Sequence, residues 1–162
     1  DVLVAFAAST HHKITIKTDR ETDMNATIIA LLGYIAWIVI LLVALAIYRS
    51  NLVMKRKKAA NSFKADGSDS PPFGHRLTRA QANCVESFAF SGGLMLLALA
   101  TDSTVITNGL AYILLLARLG QSISHLISTS IFAVQVRFAF FLVQVGICLY
   151  WIVQLATKFI VW

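Results

Sequence analysis

The chain has 162 residues, of which 57% are hydrophobic and 14% are charged, and its formal net charge is +6. A soluble domain has about half apolar and about a quarter charged residues, so this composition excludes that class and predicts an integral membrane protein. The positive charge is concentrated in one loop, which favours a role in topology and contact with anionic lipid over nucleic-acid binding.

Four apolar segments are long enough to cross a membrane. A hydrocarbon core about 30 Å thick needs roughly 20 helical residues, and segments of that length lie at 26–48, 80–100, 105–128 and 136–161. No internal repeat stands out. We therefore predict an all-α integral membrane protein with one four-transmembrane-helix bundle over residues 25–162, preceded by an N-terminal tail over residues 1–24.

The distribution of basic residues predicts how the chain is oriented. Eight of the fourteen Lys and Arg residues lie from Arg49 to Arg79, around the loop that joins the first two spans. Basic loops stay on the cytoplasmic side, so we predict a cytoplasmic first loop, with both termini and the tail on the opposite side. Residues 65–72 have the Gly, Ser, Asp and Pro composition of turns and are expected to lie loosely in water.

Polar side chains occur in the second and third spans at helical spacing. Arg79, Asn83 and Glu86 stand at i, i+4 and i+7, which is one face of a helix. The third span has a similar face formed by Arg118, Gln121, Ser122 and His125. In the predicted topology both faces lie in the cytoplasmic half, where Arg137 begins the fourth span. Ionisable groups inside a membrane usually mark a function, so these residues predict a polar pocket that opens to the cytoplasm.

Each of these side chains also has a purely structural interpretation. Arg79 can extend to lipid headgroups, with Glu86 as its ion-pair partner. Asn83 and Gln121 can form hydrogen bonds between helices, and His125 can be a satisfied histidine of the bundle interior. The convergence of several polar groups at one depth favours a ligand site over these interpretations taken singly.

No metal site is predicted. Cys84 and Cys148 are isolated, each inside a span, and His11 and His12 have no partner ligands at zinc spacing. The two cysteines are interpreted as packing residues.

One segment resembles a known family signature. Arg79-Ala-Gln-Ala-Asn-Cys-Val-Glu86 is similar to the Arg-Ala-His-x-Asn-x-x-Glu signature of the MAPEG superfamily, the membrane-associated proteins in eicosanoid and glutathione metabolism. The basic run 55–59 resembles that family's first cytoplasmic loop, and the segment 117–126 resembles its third-helix pattern. Arg137 resembles the arginine that begins the family's fourth helix. The likeness extends from about Arg49 to the C-terminus.

The resemblance implies a homotrimer that binds glutathione in a U shape between neighbouring subunits, near the cytoplasmic side. The glutathione contacts implied by the family pattern are Arg79, Asn83, Glu86, Arg118, Gln121 and His125. Arginine forks suit the two carboxylates of glutathione, and Glu86 suits its ammonium group. Arg137 would match the arginine that activates the thiol, because a nearby guanidinium lowers the pKa of a thiol.

Two functions are compatible with this resemblance. The first is a glutathione-dependent membrane transferase or peroxidase, in which the glutathione thiolate attacks a lipophilic small molecule that arrives through membrane lipid. The alternative is a catalytically silent MAPEG-like scaffold or partner subunit.

The intact signature residues favour the enzyme, whereas several departures from the family pattern favour the scaffold. Gln81 replaces the signature histidine, and His125 replaces a tyrosine of the third helix. Gln121 also stands where the family often has His or Tyr. Ala89 and Phe90 stand where the family has a proline, and the interval from His125 to Arg137 is longer than the family's usual spacing.

Overall fold

Four α-helices make up the fold. The computed structural model describes the backbone of residues 2–160 and the side chains of residues 26–160. The helices are α1 (Val2–Met54), α2 (Pro72–Ala100), α3 (Thr104–Ile127) and α4 (Ile131–Ile160). Each contains a stretch long and apolar enough to cross a membrane, which in α1 is Ala26–Met54. The predicted four-helix membrane bundle is therefore confirmed. The predicted tail, residues 1–24, lies outside the residues with described side chains.

Three of the four helices, α1, α2 and α4, extend beyond the predicted spans at one end of the bundle. This end, called the loop end below, carries the α1–α2 loop (residues 55–71) and the α3–α4 turn (residues 128–130). There α1 ends at Met54 rather than at residue 48, and α2 begins at Pro72 rather than at residue 80. Likewise α4 begins at Ile131 rather than at residue 136. The extra turns of α2 carry polar residues, which lower the hydropathy without ending the helix.

Residues in and before the first turn explain where α2 and α4 begin. Pro72 occupies the first turn of α2, where its missing N–H group and fixed φ angle are compatible with the helix. Ser130 precedes α4, and its hydroxyl accepts a hydrogen bond of 3.3 Å from the backbone N–H of Ala133. A serine in this position satisfies one of the unpaired N–H groups of the first turn.

Non-glycine residues in the left-handed conformation end α1 and α2. Arg56 has a φ angle of 52° and Asp102 one of 49°. After α1, the N–H of Lys57 donates to the carbonyl of Leu52 at 3.0 Å, which is the outer bond of a Schellman motif. The same pattern of bonds closes α2 around Asp102, so both helices stop with their last carbonyls satisfied.

Helix α3 is the central element of the bundle. It packs against α1, α2 and α4, whereas α1 and α4 make no contact with each other over the described residues. Fully buried side chains from all four helices form the core, among them Tyr34, Met95, Leu114 and Trp151. The outward faces of the helices carry many exposed Ile, Leu, Val and Phe side chains, as a surface in contact with lipid or another helix requires.

A buried polar cluster joins α1 to α3 at the end of the bundle opposite the loop. The Thr27 hydroxyl donates to the Asn108 side-chain oxygen at 2.6 Å, and the Thr27 backbone N–H donates to the same oxygen at 3.1 Å. The Thr27 and Thr107 hydroxyls are 2.8 Å apart. These bonds align the two helices far from the polar groups at the loop end.

The α1–α2 loop makes more contacts than its turn composition predicted. Ala65, Asp66, Ser68, Pro71 and Pro72 are exposed, as expected of a segment in water, but other residues of the loop are held in place. Lys58 forms an ion pair with Asp69, and Asp69 also accepts a hydrogen bond from the backbone N–H of Lys64 at 3.1 Å. Gly67 is buried with a φ angle of 70°, and a Cβ atom there would lie 2.8 Å from the hydroxyl of Thr78 on α2. Composition indicated the turns but not these contacts.

Candidate functional site

A basic cleft opens at the loop end, between α2, α3, the α3–α4 turn and α4. Its volume is about 250 Å³. The residues that line it are His75, Arg76, Arg79, His125, Thr129 and Arg137. Three guanidinium groups and two imidazoles therefore surround the space, and no carboxylate lines it. This combination is suited to an anionic ligand, since arginine forks bind carboxylates in a bidentate way.

The guanidinium of Arg137 is held from the end of α3. Its Nη1 atom lies 3.2 Å from Nδ1 of His125 and donates to the backbone carbonyl of Ser128 at 3.4 Å. The Nε atom of Arg76 donates to the carbonyl of Leu126 at 2.9 Å, which attaches the first turns of α2 to the same helix end. The last turn of α3 and the turn that follows it thus position Arg76 of α2 and Arg137 of α4.

A second group of predicted residues lies inside the bundle. Arg118 is fully buried, and its Nη1 atom donates to the side-chain oxygen of Asn83 at 2.8 Å. The guanidinium carbon lies 5.6 Å from the ring centroid of Tyr34, a cation–π contact. The Nε and Nη2 atoms of Arg118 have no hydrogen-bond partner among the described residues. Among the residues with described side chains, no carboxylate forms an ion pair with Arg118.

Gln121 belongs to the same buried layer. Its side-chain oxygen accepts a hydrogen bond of 3.0 Å from Nε2 of Gln144 on α4, and both side chains are buried. Gln144 also donates to the carbonyl of Phe140 in its own helix. Asn83, Arg118 and Gln121 therefore contact other side chains of the same bundle.

Glu86 lies apart from both groups. It stands seven residues after Arg79 on α2, which places it about 10 Å further along the helix axis. Its side chain is exposed on the surface of the bundle, next to the exposed Val85. The seven predicted site residues thus fall into three places. Arg79, His125 and Arg137 line the cleft. The half-buried Asn83 joins the buried Arg118 and Gln121 inside the bundle, and Glu86 lies on the outer surface.

Sequence reasoning missed several polar residues of these sites. His75, Arg76 and Thr129 line the cleft but lie outside the predicted spans. Gln144 stands seven residues after Arg137, on the same helical face, and that spacing was a signal in the sequence. Tyr34 gave no such signal, because it is a lone hydroxyl within a long apolar run.

A larger cavity of about 620 Å³ lies elsewhere at the loop end, between the last turns of α1 and the loop. Arg49 and Phe63 are among its lining residues, and the Arg49 guanidinium lies 5.3 Å from the Phe63 ring centroid. The Arg49 Nη2 atom donates to the carbonyl of Lys64 at 3.3 Å. Arg49 is therefore engaged with the loop, and the two cavities share no lining residue.

Comparison with known proteins agrees with this architecture. The sequence pattern that defines the family described as "MAPEG family" matches residues 27–157, which is most of the chain and includes all four membrane helices. No curated protein and no solved structure matches the chain. On the family match, the chain belongs to the MAPEG family, whose members have glutathione-related transferase, synthase or related functions.

Proposed function

We propose that this chain is a glutathione-dependent membrane transferase or peroxidase that acts on lipophilic electrophiles. The observation that carries the proposal is the cleft in which Arg76, Arg79 and Arg137 surround about 250 Å³ with no acidic side chain in its lining. Glutathione carries two carboxylates and a thiol that becomes an anion, so a cleft lined by three arginines and no carboxylate fits the charge of its reactive form.

Arg79 and Arg137 have different roles in this proposal. Arg79 binds a carboxylate of glutathione. Arg137 lies near the sulfur, where its guanidinium stabilises the thiolate and so raises the fraction of the nucleophile. The sulfur then forms a bond to an electrophilic carbon, and the electron pair of the broken bond leaves with the departing group.

Glu86 is proposed to pair with the ammonium of glutathione. It is exposed on the outer surface of one chain, so a ligand that contacts both Glu86 and the cleft lies on that surface. A second copy of the chain would enclose such a ligand, which supports a site between subunits, and the MAPEG family, whose members are commonly trimeric, supplies the number three. Native mass spectrometry in mild detergent should therefore show a trimer, and a stable monomer would leave the proposed site without its second wall.

Titration with glutathione tests the ligand. Replacing one partner of a charge-assisted hydrogen bond costs about 1.5–3 kcal/mol, so Glu86→Gln and Arg79→Ala should each weaken binding about tenfold or more. Lys57→Ala is the matched control, because it removes an exposed cation of the loop that does not line the cleft. Arg137→Ala should still bind glutathione but lose most of the ultraviolet thiolate absorbance and the conjugation rate.

A catalytically silent scaffold remains the second candidate, because Asn83, Arg118 and Gln121 already have hydrogen-bond partners within one bundle. Glutathione binding without a thiolate signal in the unmutated protein would favour this candidate. Absence of binding at millimolar glutathione would reject the proposed ligand.

A further inference from the structure

The hydrogen bond between Arg137 and His125 determines which nitrogen of the imidazole carries the proton. The Nη1 atom of Arg137 lies 3.2 Å from Nδ1 of His125. A guanidinium has only donors, so Nδ1 must be the acceptor in this bond. A neutral imidazole with an accepting Nδ1 carries its hydrogen on Nε2. The contact therefore requires a neutral ring in the Nε2–H tautomer.

The same bond limits how the guanidinium of Arg137 is oriented. The two hydrogen bonds described for Arg137, to His125 and to the Ser128 carbonyl, both use Nη1. The Nε and Nη2 atoms remain available to a ligand in the cleft. His125 and Ser128 belong to the end of α3 and the following turn, so the guanidinium of an α4 residue is fixed from a neighbouring element.

The other residues that line the cleft offer no carboxylate that could hold the guanidinium of Arg137 in place of His125. From α2, the cleft is lined by His75, Arg76 and Arg79, from the α3–α4 turn by Thr129, and from α4 by Arg137. No residue of α1 lines it. A protonated His125 would present an N–H group to another donor and add a positive charge beside Arg137. No acidic side chain lines the cleft to compensate for that charge.

We propose that His125 is a positioning residue, which holds the guanidinium of Arg137 in place through an unprotonated Nδ1 atom. One consequence of this positioning rests on the proposed function: a fixed Arg137 stabilises the glutathione thiolate. The hydrogen bond itself, and the tautomer that it requires, belong to the protein without any ligand.

The tautomer is tested directly by nitrogen-15 NMR of the histidine-labelled protein in detergent, with His125→Leu used to assign the signal. At neutral pH the unmutated protein should show an unprotonated Nδ1 and a protonated Nε2 for His125. In Arg137→Leu the Nε2–H tautomer should become less dominant and the Nδ1 signal should shift, because the donor to Nδ1 is removed. A protonated Nδ1 in the unmutated protein, or the same spectrum in both proteins, would overturn the proposal.

Two substitutions of His125 separate positioning from direct contact with glutathione. His125→Asn places an amide oxygen near the position of Nδ1 and keeps an acceptor for Arg137, whereas His125→Leu removes it. His125→Leu should bind glutathione within about threefold of the unmutated protein but lose about tenfold of its thiolate signal, an effect equal to about 1.4 kcal/mol. His125→Asn should restore most of that signal. Ser124→Ala is the matched control, since the Ser124 hydroxyl donates only within α3, to the Gly120 carbonyl.

The outcomes distinguish failure of this inference from failure of the proposed function. If both His125 variants lose the thiolate signal equally, the residue acts through Nε2 and is not a positioning residue. If His125→Leu loses glutathione binding, its role is direct contact. If the unmutated protein binds no glutathione, the proposed function fails, and the NMR comparison alone decides whether His125 positions Arg137. Thermal unfolding of each variant shows whether it is folded.

Discussion

At the scale of single residues, the most unusual feature is a fully buried arginine with one hydrogen bond. Arg118 donates to Asn83 and lies against the ring of Tyr34, while two of its nitrogens have no described partner. A buried charge is costly in a membrane protein, and such residues usually face the bundle interior or a water-filled space. Arg118 fits this description, because it stands on the central helix and faces the interior.

Substitutions of Arg118 and Asn83 should therefore affect stability in opposite ways. Arg118→Met replaces the charge with an apolar side chain of similar length, so thermal unfolding in detergent should be unchanged or occur at a higher temperature. Asn83→Ala removes the described acceptor and leaves the cation buried, which should cost about 1–3 kcal/mol. Gln154→Ala, at an exposed position of α4, is the control. A larger loss of stability in Arg118→Met than in Asn83→Ala would contradict this interpretation.

Much of the buried polar layer could be anticipated from sequence, but its pairing could not. The spacing of Arg79, Asn83 and Glu86 predicted one polar face on α2, whereas the three side chains lie in three different environments. It did not predict that Asn83 faces α3 while Glu86 is exposed, because a stripe spans a wide arc and neighbouring helices cover only part of it. The Gln121–Gln144 bond depends on how α3 and α4 rotate against each other, which side-chain periodicity does not determine.

At the scale of elements, the α1–α2 loop is the part in which sequence and structure differ most. Turn composition predicted a loose segment, whereas Asp69 connects two distant points of the loop by binding Lys58 and the Lys64 backbone. Composition reports which residues tolerate turns, but contacts between residues 11 positions apart depend on the folded path. The start of α2 was misplaced because its first turns carry polar residues that lower the hydropathy. The start of α4 was misplaced although its first residues, 131–134, are apolar, so hydropathy does not account for that error.

The ion pair makes the order of the loop dependent on pH. The hydrogen bond from Lys58 lowers the pKa of Asp69 below its ordinary value of 3.8. A carboxyl group with a lowered pKa in the folded state stabilises that state above its ordinary pKa, and this contribution is lost as the pH falls through the lowered value. Hydrogen exchange of the loop amides, corrected for intrinsic rates, should show protection at pH 7 that declines only in strong acid.

Asp69→Asn should remove this protection already at pH 7. Asp66→Asn is the matched control, because the hydrogen bond that lowers the Asp66 pKa comes from the nearby Ser68 and does not connect distant parts of the loop. Equal loss of protection in both variants would show that the Lys58–Asp69 pair does not hold the loop.

At the scale of the whole molecule, the order and number of membrane helices followed from hydropathy, and the family match agrees with them. Orientation in the membrane stays a prediction from the basic residues between Arg49 and Arg79. The exposed apolar side chains indicate a surface for lipid or for other subunits.

Labelling from each side of the membrane tests the orientation. Single cysteines at Ser68 and Thr18 should react with a membrane-impermeant reagent from opposite sides, with Ser68→Cys labelled from the cytoplasmic side. Cys84 and Cys148 can be retained, because both are buried. Labelling of Ser68→Cys from the outer side, with Thr18→Cys protected there, would reverse the predicted topology.

The length of the helices has a consequence for how the proposed reaction should be measured. Helix α2 has 29 residues and is therefore about 44 Å long, compared with about 30 Å for the hydrocarbon core. The cleft lies among the first turns of this helix, so we expect it in the interfacial layer. In the proposed reaction an apolar electrophile reaches the cleft from the membrane, and its effective concentration is a mole fraction of lipid rather than a molarity. Adding lipid or detergent at constant total reactant should then slow the reaction by surface dilution, whereas changing the volume of water should have little effect.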